Sequence, residues 1–257
     1  MKIKIISDIH LGVKNTSSND FLIDENAFRE YLSMSVHDND LLILNGDTFE
    51  LWEEILNSGS LSARMTNIIN SWNFMDIILN DPKIKIINGN HDAFIKRPGI
   101  IPTKYVTDSL DYNMNGYKIH IAHGHQGDIW NKDSSCLKYI SCCCKNLESV
   151  GEDMVDYSLD DSVQKLTNCL FPDNGKTEKY AEALANATNT DIIVFGHTHT
   201  SNLVEKSNCI YVNDGCCVNT QSIDELIIQN GSSLNISLGK YDFTTGIATN
   251  SKTINKI

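Results

Sequence analysis

The sequence has few arginine residues and no long apolar segment. Only three of its 257 residues are arginine, namely Arg29, Arg64 and Arg97, and its formal net charge is −12. Nucleic acid backbones bind to basic surfaces, so we do not expect a nucleic acid partner. No stretch approaches the roughly 20 apolar residues that a membrane-spanning helix requires, and the first residues lack the apolar core of a secretory signal. We therefore expect no membrane span and a cytoplasmic location.

Closely spaced cysteine pairs of the kind that bind zinc are also absent. None of the eight cysteines belongs to a Cys-x-x-Cys pair, whereas Cys142, Cys143 and Cys144 are consecutive, as are Cys216 and Cys217. Structural zinc sites commonly use such pairs, so the cysteines are not predicted to bind zinc. Without a secretory signal we expect them to be reduced thiols.

The sequence does contain an alternation of strand and helix patterns, which is typical of a layered α/β domain. A hydrophobic fraction of 41% over this length suffices for a single domain covering residues 1–257. Amphipathic patterns predict helices over residues 24–35 and 60–79. The sequence after His199 alternates as β-strands do.

Two segments depart from this alternation. Residues 127–190 contain most of the cysteines and read as several helices interrupted by a turn. We interpret them as a helical, cap-like insertion, with a plain surface excursion as the alternative. Residues 244–257 are polar and are predicted to form a loose tail.

Five short apolar runs, each predicted to be a strand, are followed directly by polar turns that contain metal-binding side chains. A buried strand that ends in a polar turn places ligands at the edge of a sheet. Five such endings can surround two divalent cations. The turns are Asp8-Ile9-His10, Gly46-Asp47, Gly89-Asn90-His91-Asp92, His123-Gly124-His125 and Gly196-His197-Thr198-His199.

In this order the motifs resemble those of the calcineurin-like metallophosphoesterases, and the resemblance extends to about residue 220. It implies an α/β fold, a four-layer αββα sandwich with the helical insertion between the fourth and fifth metal motifs. It also implies an enzyme that hydrolyses a phosphate ester or pyrophosphate bond in a small phosphorylated or nucleotide-type substrate. The alternatives are a nuclease of the same superfamily and a non-catalytic protein-interaction scaffold on this fold.

The family also implies two divalent metal ions. Cations about 3.5–4 Å apart need a shared anionic ligand, and we assign that role to Asp47. The other implied ligands are Asp8, His10 and His199 for one cation and Asn90, His123 and His197 for the other. Mixed nitrogen and oxygen ligands suit manganese, our first choice, and also zinc, iron or nickel. His125 shares the strand face of His123 and is the alternative ligand there.

Two further residues are expected to act in catalysis. In the mechanism that the resemblance implies, a hydroxide that bridges the metals attacks phosphorus, and the leaving oxygen then needs a proton. His91 follows the ligand Asn90 and is predicted to supply that proton. Asp92 is predicted to hold the His91 ring as a cation.

Residues 46–52 suggest a subfamily. They are similar to a segment of the UDP-2,3-diacylglucosamine pyrophosphatases, which also have a helical insertion between the last two motifs. Those enzymes have arginine at the position of His91, and their insertion is more apolar and basic than residues 127–190. A lipid substrate therefore does not follow from the similarity. Residues 212–215, after the last motif, are interpreted as a tight turn without a catalytic role.

Overall fold

The computed structural model describes residues 1–16, 19–51, 60–101, 106–127, 176–218 and 220–256. In these ranges the chain forms twelve strands, four α-helices and a short 3-10 helix (His125–Gly127). The strands are β1 (Lys2–Ile6), β2 (Leu41–Asn45), β3 (Ile84–Ile87), β4 (Val106–Thr107), β5 (Ser109–Met114), β6 (Tyr117–Ala122), β7 (Ile192–Phe195), β8 (Asn202–Glu205), β9 (Ile210–Asn213), β10 (Ser222–Asn230), β11 (Leu234–Asp242) and β12 (Ile247–Lys256). The α-helices are α1 (Glu25–Asp38), α2 (Leu61–Ser71), α3 (Met75–Asn80) and α4 (Lys176–Thr188).

The strands form two sheets. The first has seven strands in the order β12-β11-β10-β1-β2-β3-β4, and the second has five in the order β5-β6-β7-β9-β8. In the first sheet β1, β2 and β3 are parallel neighbours. In the second, β6, β7 and β9 are parallel neighbours. The five predicted motifs follow β1, β2, β3, β6 and β7, so all of them lie at the carboxyl ends of parallel strands.

Alternate side chains of the buried strands face different layers, as strand geometry requires. In β2, Leu42 and Leu44 pack with helices α1 to α3, whereas Ile43 packs between the two sheets. In β7, Val194 packs between the sheets, and Phe195 packs with α4 on the outer face. The layers are therefore helix, sheet, sheet and helix, which confirms the predicted α/β sandwich.

Helix α1 confirms the helix predicted over residues 24–35 and extends it to Asp38. It begins after Asp24, whose side chain caps the helix by accepting hydrogen bonds from Asn26 and Ala27 N–H at 3.0 Å. Its buried face, which includes Phe28, packs on the first sheet. None of the described helices is long and apolar enough to span a membrane.

The single helix predicted over residues 60–79 is wrong, because the helical conformation is interrupted between α2 and α3. Trp72 has extended backbone geometry, and its indole N–H donates to the Gly12 carbonyl oxygen at 2.9 Å. Its ring stacks on Phe74, with the centroids 5.6 Å apart. The break allows both aromatic side chains to be buried beneath the loop that follows β1.

The loose tail predicted for residues 244–257 is also wrong in the described part of the chain. Strand β12 pairs antiparallel with β11, from Ile247 opposite Asp242 to Lys256 opposite Leu234. The polar composition was misleading, because an edge strand with one face in solvent needs few buried side chains. Ile254 is the buried residue of this strand and packs between the sheets.

The predicted insertion covers residues 127–190. Its C-terminal part, which contains α4, belongs to the sandwich and not to a cap. Helix α4 packs Ala181 and Ala185 against the outer face of the second sheet. It therefore forms the fourth layer. Residues 128–175, which make up the rest of the predicted insertion, lie outside the described residues, as does Trp52 of the segment that suggested a subfamily.

We expect β12 to stabilise the fold through Ile254. Ile254→Ala should lower the free energy of unfolding by about 2 kcal/mol, because it removes a buried side chain. Ile247→Ala, on the same strand but at a residue that is 58% exposed, should change it by less than about 0.5 kcal/mol. Urea denaturation followed by circular dichroism measures both values. Equal values for the two variants would contradict the packing of β12 on the core.

Candidate metal centre

The five motifs meet at one end of the sandwich, and backbone hydrogen bonds join their loops. His10 N–H, after β1, donates to the Asp47 carbonyl oxygen, after β2, at 3.0 Å. Gly196 N–H, after β7, donates to the His123 carbonyl oxygen, after β6, at 2.9 Å. His91 N–H, after β3, donates to Asp47 Oδ1 at 2.8 Å. Two backbone–backbone hydrogen bonds and one from the backbone to the Asp47 carboxylate thus fix the loops relative to one another.

Two of the motif glycines are required by close packing. A Cβ atom at Gly46 would lie 2.3 Å from His123 Nδ1, and one at Gly89 would lie 2.0 Å from Asp47 Oδ1. Both distances are far shorter than van der Waals contact, so a larger residue would displace a candidate ligand. Gly46 also has a φ of 87°, a conformation that glycine adopts without strain.

Several candidate ligands have backbone conformations that are unfavourable for non-glycine residues. A positive φ is uncommon for such residues, and it is found mostly where the surrounding structure enforces it, often at functional sites. The ligand residues concerned are Asp8 (52°), His10 (51°), Asp47 (48°), His197 (70°) and His199 (53°). The fold therefore holds these side chains in place against a local backbone preference.

Asp8, His10 and His199 form a first group of candidate ligands. One ligand atom of each lies within 4.8 Å of the others, and Asp8 Oδ1 is 3.2 Å from His199 Nε2. Asp8 Oδ1 and His10 Nε2 are buried, and neither makes a hydrogen bond within the described ranges. Buried polar atoms normally have a partner. The donor set of this group therefore fits a divalent cation.

Asp47, His123 and His197 form a second group within the same distance limit. His123 Nε2 lies 3.0 Å from Asp47 Oδ2 and 3.2 Å from the Asn90 amide oxygen. His123 Nδ1 lies 2.9 Å from the Asn45 carbonyl oxygen. A proton on Nδ1 satisfies that carbonyl and leaves Nε2 as the ligand atom.

Asp47 lies between the two groups. Its Oδ2 is 3.0 Å from His123 Nε2 in the second group and 3.9 Å from His10 Nε2 in the first. Its Oδ1 is held by the N–H of His91. The structure thus brings all seven predicted ligands together, with Asp47 where a bridging carboxylate would have to be. That these residues bind metal stays a prediction.

The carboxylates and imidazoles of the two groups stabilise each other's charged forms. Burial alone would raise the pKa of Asp8, but His123 and His199 lower that pKa well below its ordinary range. Burial alone would lower the pKa of His123, but Asp47 and Asp8 raise it to about 10. In the absence of cations His123 would therefore carry a second ring proton at neutral pH. A cation has to displace that proton in order to bind.

Glu50 is a further candidate for the site, and the sequence motifs do not single it out. Its Oε2 lies 2.9 Å from His10 Nδ1 and 2.6 Å from His91 Nδ1, and the residue is fully buried. Burial alone would raise the pKa of Glu50, but His91 and His10 lower it below its ordinary range. A carboxylate on Nδ1 fixes the orientation of a ligand imidazole. The available signal was a carboxylate three residues after Asp47, in the same loop.

The predicted contact between Asp92 and the His91 ring is wrong. Both oxygens of Asp92 accept hydrogen bonds from backbone N–H groups of the loops after β2 and β3, namely those of Thr48 (2.8 Å), Phe49 (3.3 Å) and Gly89 (2.6 Å). Burial and the neighbouring Asp47 raise the pKa of Asp92 to about 7. Asp92 therefore ties two ligand loops together, and Glu50 has the place beside His91 that we assigned to Asp92.

His91 lies at the edge of the site, with 18% of its side chain exposed. Because Nδ1 faces Glu50, Nε2 is the ring atom that can exchange a proton with a substrate. Burial lowers the pKa of His91, but Glu50 and Asp47 more than offset this, and the net shift is upward. The upward shift favours the cationic ring, as the predicted role of His91 as a proton donor requires; that role stays a prediction.

His125, the alternative to His123, lies beside the second group, with its ring centroid 5.5 Å from that of His123. Burial and the nearby His123 lower the pKa of His125 to about 3. His123 is the better candidate ligand, because its Nε2 is the atom that contacts Asp47. His120 lies away from the site and pairs with Asp111 on the neighbouring strand at 2.8 Å.

Comparisons with known proteins identify a family and a fold. The family model for the calcineurin-like phosphoesterases matches residues 1–201. No curated protein matches the chain significantly. Vacuolar Protein Sorting 29 from Cryptosporidium parvum is a similar solved structure, with 16% identity, a TM-score of 0.50, and coverage of 99% of this chain and 98% of that one. A predicted phosphoesterase from Streptococcus pneumoniae TIGR4 has 14% identity, a TM-score of 0.43, and coverage of 99% and 97%. Such structural likenesses concern the fold alone.

We expect Glu50 to support metal binding without contacting the metal. Glu50→Ala should weaken the affinity for Mn²⁺ by about 10–100-fold, because His10 loses the group that orients its ring. Asp111→Ala removes a similar carboxylate–imidazole contact far from the site, at His120, and should leave the affinity unchanged. Isothermal titration calorimetry measures both. Wild-type affinity in Glu50→Ala would show that the first group does not need this support.

Proposed function

The chain belongs to the calcineurin-like phosphoesterase family, and we propose that it is a hydrolase that cleaves a phosphate ester or pyrophosphate bond with two divalent cations. The main support is the position of Asp47 Oδ2, which is 3.0 Å from His123 Nε2 and 3.9 Å from His10 Nε2. A carboxylate that reaches both groups can hold two cations near one phosphoryl group.

The donor set suggests which residues would hold each cation. Asp47 would be shared between a first cation on Asp8, His10 and His199 and a second on Asn90, His123 and His197. Nitrogen and oxygen donors in this mixture favour manganese, with zinc, iron or nickel as alternatives. When bound, such cations supply Lewis-acid stabilisation of phosphoryl oxygens and a water molecule acidic enough to attack near neutral pH.

Residues next to the proposed ligands would protonate the leaving group. We assign proton transfer to His91 Nε2, since the opposite ring nitrogen lies 2.6 Å from Glu50 Oε2. Glu50 would keep the His91 ring oriented and cationic until the proton is transferred to the leaving oxygen. Asp92 would act indirectly, by holding the loops that carry Asp47 and His91.

We infer the class of substrate from the negative net charge of the chain and from its small number of arginines. A net charge of −12 and only three arginines leave the metals as the main anion-binding groups and disfavour a nuclease. A small phosphorylated or nucleotide-type compound is the substrate we propose. A cytoplasmic location fits such a substrate and belongs to the same proposal.

Hydrolysis of model substrates tests this function. The wild-type protein should hydrolyse p-nitrophenyl phosphate, its bis ester or a nucleotide diphosphate derivative when loaded with Mn²⁺, Zn²⁺, Ni²⁺ or Mg²⁺, and Asp47→Ala should abolish this activity. Asp111→Ala should retain it and serves as the control. Metal binding without turnover of any of these substrates would instead favour the protein-interaction scaffold. Cleavage of single-stranded DNA would favour the nuclease.

A second prediction concerns the proton donor. His91→Ala should bind metal as the wild type does but turn over substrates with poor leaving groups about 10²–10⁴-fold more slowly. The effect should be much smaller for p-nitrophenyl esters, whose leaving group needs little protonation. Hydrolysis rates for the two types of leaving group measure the loss of proton donation, and calorimetry measures metal binding. His120→Ala serves as the control. Loss of metal from His91→Ala would assign His91 to the ligand set instead.

A further inference from the structure

The buried hydroxyl of Ser7, next to the candidate metal centre, lies within hydrogen-bond distance of three oxygen atoms but can donate to only one of them. Ser7 Oγ lies 2.5 Å from Asp8 Oδ2, 2.7 Å from Asp214 Oδ1 and 3.0 Å from the Gly215 carbonyl oxygen. All of these groups are fully or largely buried, and the Asp8 and Asp214 side chains are inaccessible to solvent. A hydroxyl has one proton and two lone pairs. At least one of the two short contacts to carboxyl oxygens must therefore contain a proton that Ser7 does not supply.

Geometry indicates where the protons are. Both contacts lie in the range of hydrogen bonds between a hydroxyl and an ionised carboxylate, so the other partners of the two carboxyl groups decide that Ser7 donates to Asp8. Asp8 is the ionised partner, because its Oδ1 faces His199 Nε2 at 3.2 Å. The 2.7 Å contact is then a hydrogen bond only if Asp214 Oδ1 carries a proton and donates it to Ser7.

The surroundings of Asp214 favour a neutral carboxylic acid. Its Oδ2 accepts a hydrogen bond from Asn45 Nδ2 at 2.9 Å, and it makes no ion pair with any residue in the described ranges. An ionised carboxylate without a cationic partner is strongly disfavoured inside a protein. Burial raises the pKa of Asp214 to about 7, which agrees with the count of protons around Ser7.

Asp214 is connected to both ligand groups. Through Ser7 it reaches Asp8 Oδ2, the oxygen that also accepts from His197 N–H at 3.1 Å. Through Asn45 it reaches His123, because the Asn45 carbonyl oxygen lies 2.9 Å from His123 Nδ1. The turn after β9, whose sequence predicts a plain tight turn, is thus hydrogen-bonded through Asp214 to the carboxyl ends of both β1 and β2.

We propose that Asp214 is a positioning residue that carries a proton and, through Ser7 and Asn45, orients Asp8 and His123 for metal binding. The proposal rests on the proposed function in one respect, since it takes Asp8 and His123 to be metal ligands. Asp214 does not contact the reacting atoms in this account. Its role is to supply a hydrogen-bond donor where an ionised aspartate would supply an acceptor.

Conservative and disruptive substitutions distinguish this role from a general structural one. Asparagine can donate to Ser7 and accept from Asn45, as protonated aspartate does, so Asp214→Asn should bind Mn²⁺ with wild-type affinity. Asp214→Ala and Ser7→Ala should weaken Mn²⁺ binding by about 10–100-fold. Calorimetric titration measures the affinities, and thermal unfolding without metal identifies a variant that has lost its fold. Should Asp214→Ala fail to fold, Asp214→Asn and Ser7→Ala decide the question.

Infrared spectroscopy tests the proton directly. The difference spectrum between wild type and Asp214→Asn, at mildly acidic pH, should contain the carbonyl stretch of a protonated carboxylic acid. Carboxylate bands in its place would overturn the proposal, as would an affinity loss in Asp214→Asn equal to that in Asp214→Ala. Neither measurement depends on turnover. A protein that shows the expected spectrum and titrations but hydrolyses no phosphate compound would support the inference and contradict the proposed function.

Discussion

Two divalent cations in one site would repel each other, and a carboxylate shared between them is the interaction on which the proposed metal centre depends. Asp47 is suited to that position because three loops determine where its carboxylate lies. Its carbonyl oxygen accepts from His10 N–H, and its Oδ1 accepts from His91 N–H. The neighbouring Gly89 has no Cβ that would displace it. The oxygen that we propose as the bridge is therefore located by hydrogen bonds from the loops at the strand ends.

The acidic residues of the site differ in environment, and the environment determines what each can do. Asp8 faces imidazoles and stays ionised, because His123 and His199 lower its pKa despite burial. Within the described ranges Asp92 accepts hydrogen bonds from backbone N–H groups only, and burial together with Asp47 raises its pKa to about 7. In the same part of the chain the hydrogen-bond partners of the Asp214 side chain, Ser7 and Asn45, are neutral. The same chemical group thus serves as a candidate ligand, a brace between loops and a donor of a hydrogen bond.

Much of the fold, and the meeting of the candidate ligands at one end of it, was predictable from the sequence, because both depend on local patterns. An apolar run followed by a polar turn marks a buried strand and its end, and parallel strands bring such ends to one edge. Glu50 could not be found in this way. Its role depends on its side chain reaching the rings of His10 and His91, which come from different loops, and no local pattern encodes that distance.

The errors in the prediction have the same origin. The adjacency of Asp92 and His91 in sequence predicts a contact between them, whereas the structure turns the Asp92 carboxylate toward the backbone of neighbouring loops. The polar sequence of strand β12 predicts a tail, yet its hydrogen bonds to β11 do not depend on side-chain polarity. In both cases the deciding partner lies far away along the chain.

The left-handed backbone at the candidate ligand positions has a consequence for stability. Asp8, His10, Asp47, His197 and His199 all have positive φ, which costs about 1–2 kcal/mol at each non-glycine residue. Glycine or asparagine would relieve that strain. Glycine at any of these positions would therefore stabilise the folded chain while it removed a candidate ligand. The residues that would bind the cations are thus the ones that the local backbone conformation tolerates least.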